Sequence, residues 1–427
     1  MKQLVLQLQA HPTFAKVWHW VKLIAITGGA QAVVQATGLL SGILIIRLLP
    51  VEEYALYTLA NTMLGTMTVL ADGGISAGVM AEGGKVWRDK EKLGIVIATG
   101  LDLRRKFAIG SLLVSIPILV YLLQNHGASG LMTLLIIASL IPAFFAALSD
   151  SLLQVAPKLH QEIVPLQKNQ MTVSVIRLLL SGLTLFIFPW TFVALLANGI
   201  PRVYGNIQLR KINEGFIENT ESPSIEIKKE ILKIVYRVLP GAIYYCLSGQ
   251  IIVWLLSIFG TTVAIAQIGA LGRVTMLLNV FSILAATIIT PHFARITSNV
   301  QAFFFKTTGV TSIFVIIIVY LCSVFSNEIL YLLGEQYKNL NYELVLIILG
   351  GGVNFMAGFS FGLSSSRGWV IKPVISISTS LLSILVGIFL FDNSTLIGVL
   401  YFNLLLSGTQ YLLNTFYCYY KTRSFAT

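Results

Sequence analysis

Long apolar runs recur along the chain from Val21 almost to its last residues. Many extend for about 18 to 25 positions, enough for a helix to cross a hydrocarbon core of about 30 Å. Of the 427 residues, 56% are hydrophobic and 11% charged, against about 45–50% and 25% in soluble domains. A water-soluble fold is excluded. The runs are continuous and do not alternate in segments of about ten residues, which also excludes a transmembrane barrel. The expected class is an all-α, multi-pass membrane protein.

A window of about nineteen residues gives about twelve spans. They are centred in Val21–Ile46, Tyr54–Ala81, Phe107–Gln124, Leu131–Ala156, Met171–Phe188, Thr191–Gln208, Val235–Phe259, Thr262–Thr290, Thr307–Phe325, Tyr342–Ser365, Pro373–Phe391 and Leu396–Tyr417. Lys and Arg are retained on the cytoplasmic side of short loops. An inside N-terminus places roughly 23 of the 29 basic residues in inside segments, with only Arg47 and Lys338 outside. Both termini are therefore expected to be cytoplasmic. The net charge of +11 follows from this topology and from contact with anionic headgroups, so it argues little for nucleic acid. The richest inside segment, Lys85 to Ala108, is expected to lay a short amphipathic helix along the membrane surface.

The outer connections are short, apart from Ser326 to Glu343, so no soluble catalytic domain is expected. The polar stretch Lys211 to Glu230 sits at the midpoint and reads as a hinge. It gives an N-terminal six-helix lobe (residues 1–210), a cytoplasmic linker (211–233) and a C-terminal six-helix lobe (234–427). An even number of spans per lobe relates the two by a pseudo-two-fold axis along the membrane normal. The first twenty residues hold no apolar core followed by a small-residue cleavage site, so the first helix is expected to direct insertion. Cys246, Cys322 and Cys418 fall on separate spans and read as core thiols. The five histidines are scattered without metal spacing, and no cofactor is expected.

A Gly- and Gln-rich first run, GGAQAVVQATGLLSGILII, is followed by RLLPVEEYALYTLAN and then by ADGGISAGVMAEGGK. Arg47, Leu48, Leu49, Pro50, Glu52, Glu53, Tyr54 and Tyr57 fill a pattern of an Arg, two apolar residues, a Gly or Pro, an acidic turn and Tyr-x-x-Tyr. This succession resembles the start of the polysaccharide-transport, or Wzx-type, flippases of the multidrug/oligosaccharidyl-lipid/polysaccharide (MOP) superfamily. Pro291 and Arg295 close the eighth span as that family's Pro-x-x-x-Arg does. The resemblance implies a MATE-like pair of six-helix lobes around a cavity that opens alternately to either side to turn over a lipid-linked oligosaccharide.

An ionisable side chain at membrane depth costs at least about 2.5–3.5 kcal/mol on insertion scales and normally faces protein or a watery cavity. Arg177, Arg202, Arg237, Arg273, Asp72 and Asp150 stand within the spans. In the first lobe Arg177 and Arg202 share a level with Asp72 and Asp150, as a neutral network or as groups coupling transport to H+ or Na+. In the second lobe Arg237 and Arg273 lack an acidic partner. Arg273 lies about 17 Å from the outer helix end, too deep to snorkel comfortably. It is either a cavity cation or tied to helix carbonyls. A guanidinium stays charged and grips diphosphate oxygens in bidentate fashion.

Arg47 stands at the outer mouth of the first span, where it either receives a phosphate or pairs with Glu52 or Glu53. Gln31, Gln35, Asn61, Gln250, Gln267 and Asn279 bond either sugar hydroxyls or neighbouring helices. The leading functional expectation is an inner-membrane flippase for an undecaprenyl-diphosphate oligosaccharide, working beside membrane lipids and polysaccharide assembly machinery. A cation-coupled drug exporter, which should prefer acidic cavity groups, is the alternative. A polytopic polymerase or glycosyltransferase lacks its expected large outer loop. No GxxxxGK[ST] phosphate loop occurs to support ATP driving.

Overall fold

The computed structural model describes residues 12–218, 222–296, 299–369 and 371–426, and helices make up nearly all of them. In chain order these are α1 (Pro12–Leu48), α2 (Val51–Asp72), α3 (Ile75–Val86), α4 (Lys90–Asn125), α5 (Gly130–Leu153), α6 (Val155–Leu159), α7 (Ile163–Ile187) and α8 (Thr191–Glu214). The second half follows with α9 (Ile225–Phe259), α10 (Thr262–Leu284), a π-helical turn (Ala285–Ile289), α11 (Thr290–Arg295), α12 (Val300–Val324), α13 (Ser326–Leu333), α14 (Asn341–Ser366), α15 (Pro373–Leu390) and α16 (Leu396–Ala426). Among the described residues nine helices are long and apolar enough to cross a membrane, or eleven if each of two bent pairs counts as one span.

The remaining expected span, the sixth, is α8, which is 24 residues long, about 36 Å, but falls short in apolarity. Asn198, Arg202 and Asn206 repeat every fourth position along it and form one polar stripe. That face turns toward α5, where Asn206 Nδ2 donates to Ser149 Oγ at 2.7 Å.

Helices pack in two groups. In the first, α1 runs along α7, α5 and α7 flank α8, and α2 lies on α4; in the second, α14 is the centre, touched by α10, α12 and α16. The groups meet where α10 crosses α2 and where α9 packs on α2 and α3. At the end opposite the basic loops, called here the far end, both groups share one core. Ile45, Tyr54 and Leu56 of the first pack with Leu256, Ile265, Leu330 and Leu344 of the second.

Several sequence expectations change in detail. The run Tyr54–Ala81 is broken by 44° between α2 and α3. Gly73 and Gly74 make the break with φ of 49° and 97°, values that L side chains rarely adopt. The surface helix expected within Lys85–Ala108 is instead the first half of α4, which continues unbroken for 36 residues. Asp89 caps its start, accepting the Lys92 backbone N–H at 3.1 Å, and that bond holds its carboxyl below the usual range.

The hinge expected over Lys211–Glu230 shrinks to ten residues, 215–224, because α8 and α9 extend into it. Its described residues are docked. Glu218 donates its backbone N–H to Lys90 O at 3.3 Å, Ser224 donates its own to Thr99 Oγ1 at 3.0 Å, and Ile217 is buried beside Val96 and Ile231. A second bend of 44° divides α9 between Tyr244 and Ser248, just after Pro240, whose missing N–H weakens the ladder there.

Candidate functional site

A cavity of about 510 Å³ lies between α1, α2, α5, α7, α8 and α10. It runs from Ile45 and Tyr57 toward the basic end, reaching Gln154, Gln170 and Leu209. Three arginines line it, Arg177 from α7, Arg202 from α8 and Arg273 from α10, and Asp150 is the one carboxylate among its lining residues. Asn61 lines it too.

Arg273 belongs to the second group but reaches into the first. Gly42 makes the approach possible: a Cβ there would stand 3.3 Å from Arg273 Cδ. Its Nη1 lies 3.8 Å from Met276 Sδ, the Tyr54 hydroxyl is buried without a hydrogen-bond partner among the described residues, and no described carboxylate lies within ion-pair distance of Arg273. Arg177 is similar: its Nε is buried without a hydrogen-bond partner among the described residues. Only Arg202 has a counter-ion, its Nε 3.5 Å from Asp150 Oδ2. That carboxylate also accepts a 2.7 Å bond from Asn206 Nδ2. The cavity lining thus carries three guanidinium groups against one carboxylate, and like charges repel.

The sequence grouping of charges is corrected here. Asp72 does not share a network with Arg177 and Arg202; it pairs with Arg104, which also bonds Ser76, Ser151 and the Leu148 carbonyl. Arg104 escaped notice because it was counted within an inner loop, whereas α4 carries it into the protein. Arg237 is exposed on α9 and does not line the arginine cavity.

Arg47 is also outside the cavity, and the alternative of an Arg47–glutamate pair is wrong. Its Nη2 and Nε donate to the carbonyls of Tyr331 (2.6 Å) and Leu332 (2.9 Å), at the last turn of α13, where unpaired carbonyls and the helix dipole favour a cation. Glu53 acts at the other kind of helix end. Its Oε2 accepts the Thr191 backbone N–H at 2.7 Å and the Thr191 hydroxyl at 2.6 Å, at the start of α8. The charges between the first two spans therefore cap two helices in trans.

Arg47 is part of the far-end closure. Gln336 Nε2 donates to Ile46 O at 3.4 Å. Buried His126 at the end of α4 donates from Nε2 to Ser257 O at 2.9 Å, with its Nδ1 3.1 Å from Thr262 Oγ1. All three contacts join the two groups.

Of the remaining amides, Gln31 serves helix packing, its Nε2 donating to Gln167 and Gln170 Oε1 at 3.2 and 3.0 Å. Gln250 faces α2 at Gly65. Gln35 and Gln267 are half-buried, and Asn279 lines a second cavity. Two contributors escaped sequence reading: Asn198, which donates to Tyr57 Oη at 2.9 Å, and Asn206. Their spacing with Arg202 was the available signal. The side chains of Pro291 and Arg295 lie outside the described ones. Among the described residues no cluster of potential metal ligands occurs.

No family model matches the sequence, and no curated protein matches it either. Solved structures do match in fold. One is an inward-facing conformation of a multidrug resistance MATE family transporter of the MOP superfamily, with a TM-score of 0.74 and 15% identity over 91% of this chain and 94% of that one. An outward-facing conformation of such a transporter gives 0.65 and 16% over 95% of each chain. A MOP superfamily transporter from Pyrococcus furiosus, described with a binding pocket of reverse polarity that suggests a different function, gives 0.66 and 16% over 95% and 96%. At these identities the likeness establishes the fold, which is the MATE-type fold of the MOP superfamily.

Proposed function

We propose that this chain is an alternating-access transporter that carries an undecaprenyl-diphosphate-linked oligosaccharide across the cell inner membrane. The observation that supports it is the gathering of Arg177, Arg202 and Arg273, from three helices, around one cavity whose lining holds a single carboxylate. Guanidinium groups suit diphosphate oxygens through paired N–H donors. The cavity reaches the basic end, which the charge census expects to be cytoplasmic, while the far end is closed by Arg47, Gln336 and His126. The headgroup enters from the cytoplasmic leaflet and binds the arginines, and the prenyl chain stays in the bilayer. Release follows when the far-end bonds break and the basic end closes. Asp150, already beside Arg202, is the group best placed to couple this cycle to an H+ or Na+ gradient.

A second reading, a cation-coupled exporter of small molecules, is favoured by the multidrug transporters that share the fold. It expects a cavity that attracts cations, and the lining charge here has the opposite sign. In cells whose surface glycan depends on this chain, Arg273→Ala should abolish export and let lipid-linked oligosaccharide accumulate. Arg273→Lys should retain part of the activity. Full export by Arg273→Ala at equal membrane abundance overturns the reading.

A further inference from the structure

A second cavity, of about 390 Å³, lies in the other group of helices between α10, the π-helical turn and α14. Among the described residues its lining holds no ionisable side chain. Asn279 and Asn354 are exposed within it, and neither amide makes a side-chain hydrogen bond among the described residues. The hydroxyls of Thr275 and Ser282 donate to Gly272 O (2.8 Å) and Leu278 O (3.2 Å) of their own helix. Each keeps lone pairs free to accept. Phe355, buried in α14, supplies an apolar wall.

We infer that this cavity binds the neutral glycan of the substrate whose diphosphate sits on the arginines, an assignment that rests on the flippase reading above. With neither cation nor carboxylate, the cavity selects no ion. A hydrocarbon chain suits it poorly, because it would leave two amides dry and unpaired, at about 1–3 kcal/mol each. A sugar offers both donors and acceptors on an otherwise apolar ring and satisfies them.

The two cavities share α10 as a common wall: Arg273 and Met276 line the first, Thr275 and Asn279 the second. From Arg273 to Asn279 the helix rises about 9 Å, and because Thr275 and Asn279 lie on a different face from Arg273 and Met276, a saccharide attached to the diphosphate rounds α10 to enter the second cavity. The π-turn at Ala285–Ile289 widens the same helix where it borders the cavity, and such turns recur at functional sites.

The test uses the full chain in nanodiscs with two probes: undecaprenyl diphosphate, and the same lipid bearing each of a panel of neutral di- to tetrasaccharides. Asn279→Ala combined with Asn354→Ala should weaken binding of the best glycan-bearing probe by about tenfold, two hydrogen bonds' worth. Binding of the bare lipid should be unchanged. Gly358→Trp fills the cavity from a position where a Cβ meets nothing within 4 Å, and should act in the same way without disturbing the fold. Arg273→Ala should weaken both probes.

Wild-type protein that binds every glycan-bearing probe no better than the bare lipid overturns the inference alone. So does unchanged glycan-probe affinity in the cavity variants, or an equal loss for both probes in Gly358→Trp. Wild-type protein that binds neither probe overturns the flippase reading, and the inference with it.

Discussion

Arg273 lies directly over Gly42, so close that a Cβ on the glycine would stand 3.3 Å from the arginine's Cδ and 3.5 Å from its Nε. A residue of the second helical group thereby enters a cavity built mostly by the first, and the position of its charge depends on a missing side chain in α1. Gly42→Ala asks Arg273 to move by a few tenths of an ångström and should leave most transport intact. Gly42→Leu occupies the guanidinium's path and should reduce transport about tenfold or more, as losing the arginine's bidentate contact does. Transport rates at matched protein levels in reconstituted vesicles check the contrast.

Asp72 and Arg104 form a structural pair, with Arg104 4% and Asp72 31% exposed at their side chains. Asp72→Ala leaves a buried cation unneutralised and should destabilise the protein by about 2–4 kcal/mol, somewhat below a fully buried pair because the carboxylate is partly exposed. Combining it with Arg104→Met should recover most of that loss in thermal unfolding of the purified protein. The double variant should still transport. Loss of transport in a stable double variant would return Asp72 to a direct role.

Arg47 holds the far end shut through two charge-assisted bonds to the carbonyls of Tyr331 and Leu332. Arg47→Ala should shift the equilibrium toward far-end opening by about 1–2 kcal/mol. Spin labels at exposed positions 52 and 339, one in each group, report it as a growing long-distance population. An unchanged distance distribution rules out the latch.

Orientation is tested in a variant whose three native cysteines are replaced. Single cysteines at exposed Asn125 and Asn339 should react with an impermeant thiol reagent added to intact cells, and single cysteines at exposed Gly215 and Lys90 only after lysis. The reverse pattern places the basic loops outside.

The spans were legible because insertion into lipid demands long apolar stretches, and the chain supplies them almost everywhere. The exception is instructive. Thr191–Gln208 is among the expected spans, yet α8 is not apolar enough to rank with the others, because Asn198, Arg202 and Asn206 stand on it at intervals of four, a stripe whose meaning the span count passes over. Arg273 was legible as a charge deep within a span from its position alone. Its neighbours were not, because periodicity shows that a helix has faces and leaves open which partner each face meets. The crossing of α10 over α2, which would bring a Cβ on Gly269 within 2.4 Å of Thr58 Oγ1, is set by tertiary packing. Arg104 was lost for a related reason: a basic, polar segment looks like a loop until the helix running through it buries one face.

The central claim is that the arginine cavity holds an anionic headgroup, and equilibrium binding of undecaprenyl diphosphate to the protein in nanodiscs tests it most directly. Each of Arg177→Ala, Arg202→Ala and Arg273→Ala should weaken binding about tenfold, the triple variant should bring it to background, and rising salt should weaken the wild type. A triple variant that binds the diphosphate as tightly as the wild type, or a wild type that prefers a cationic amphiphile such as tetraphenylphosphonium, contradicts the account.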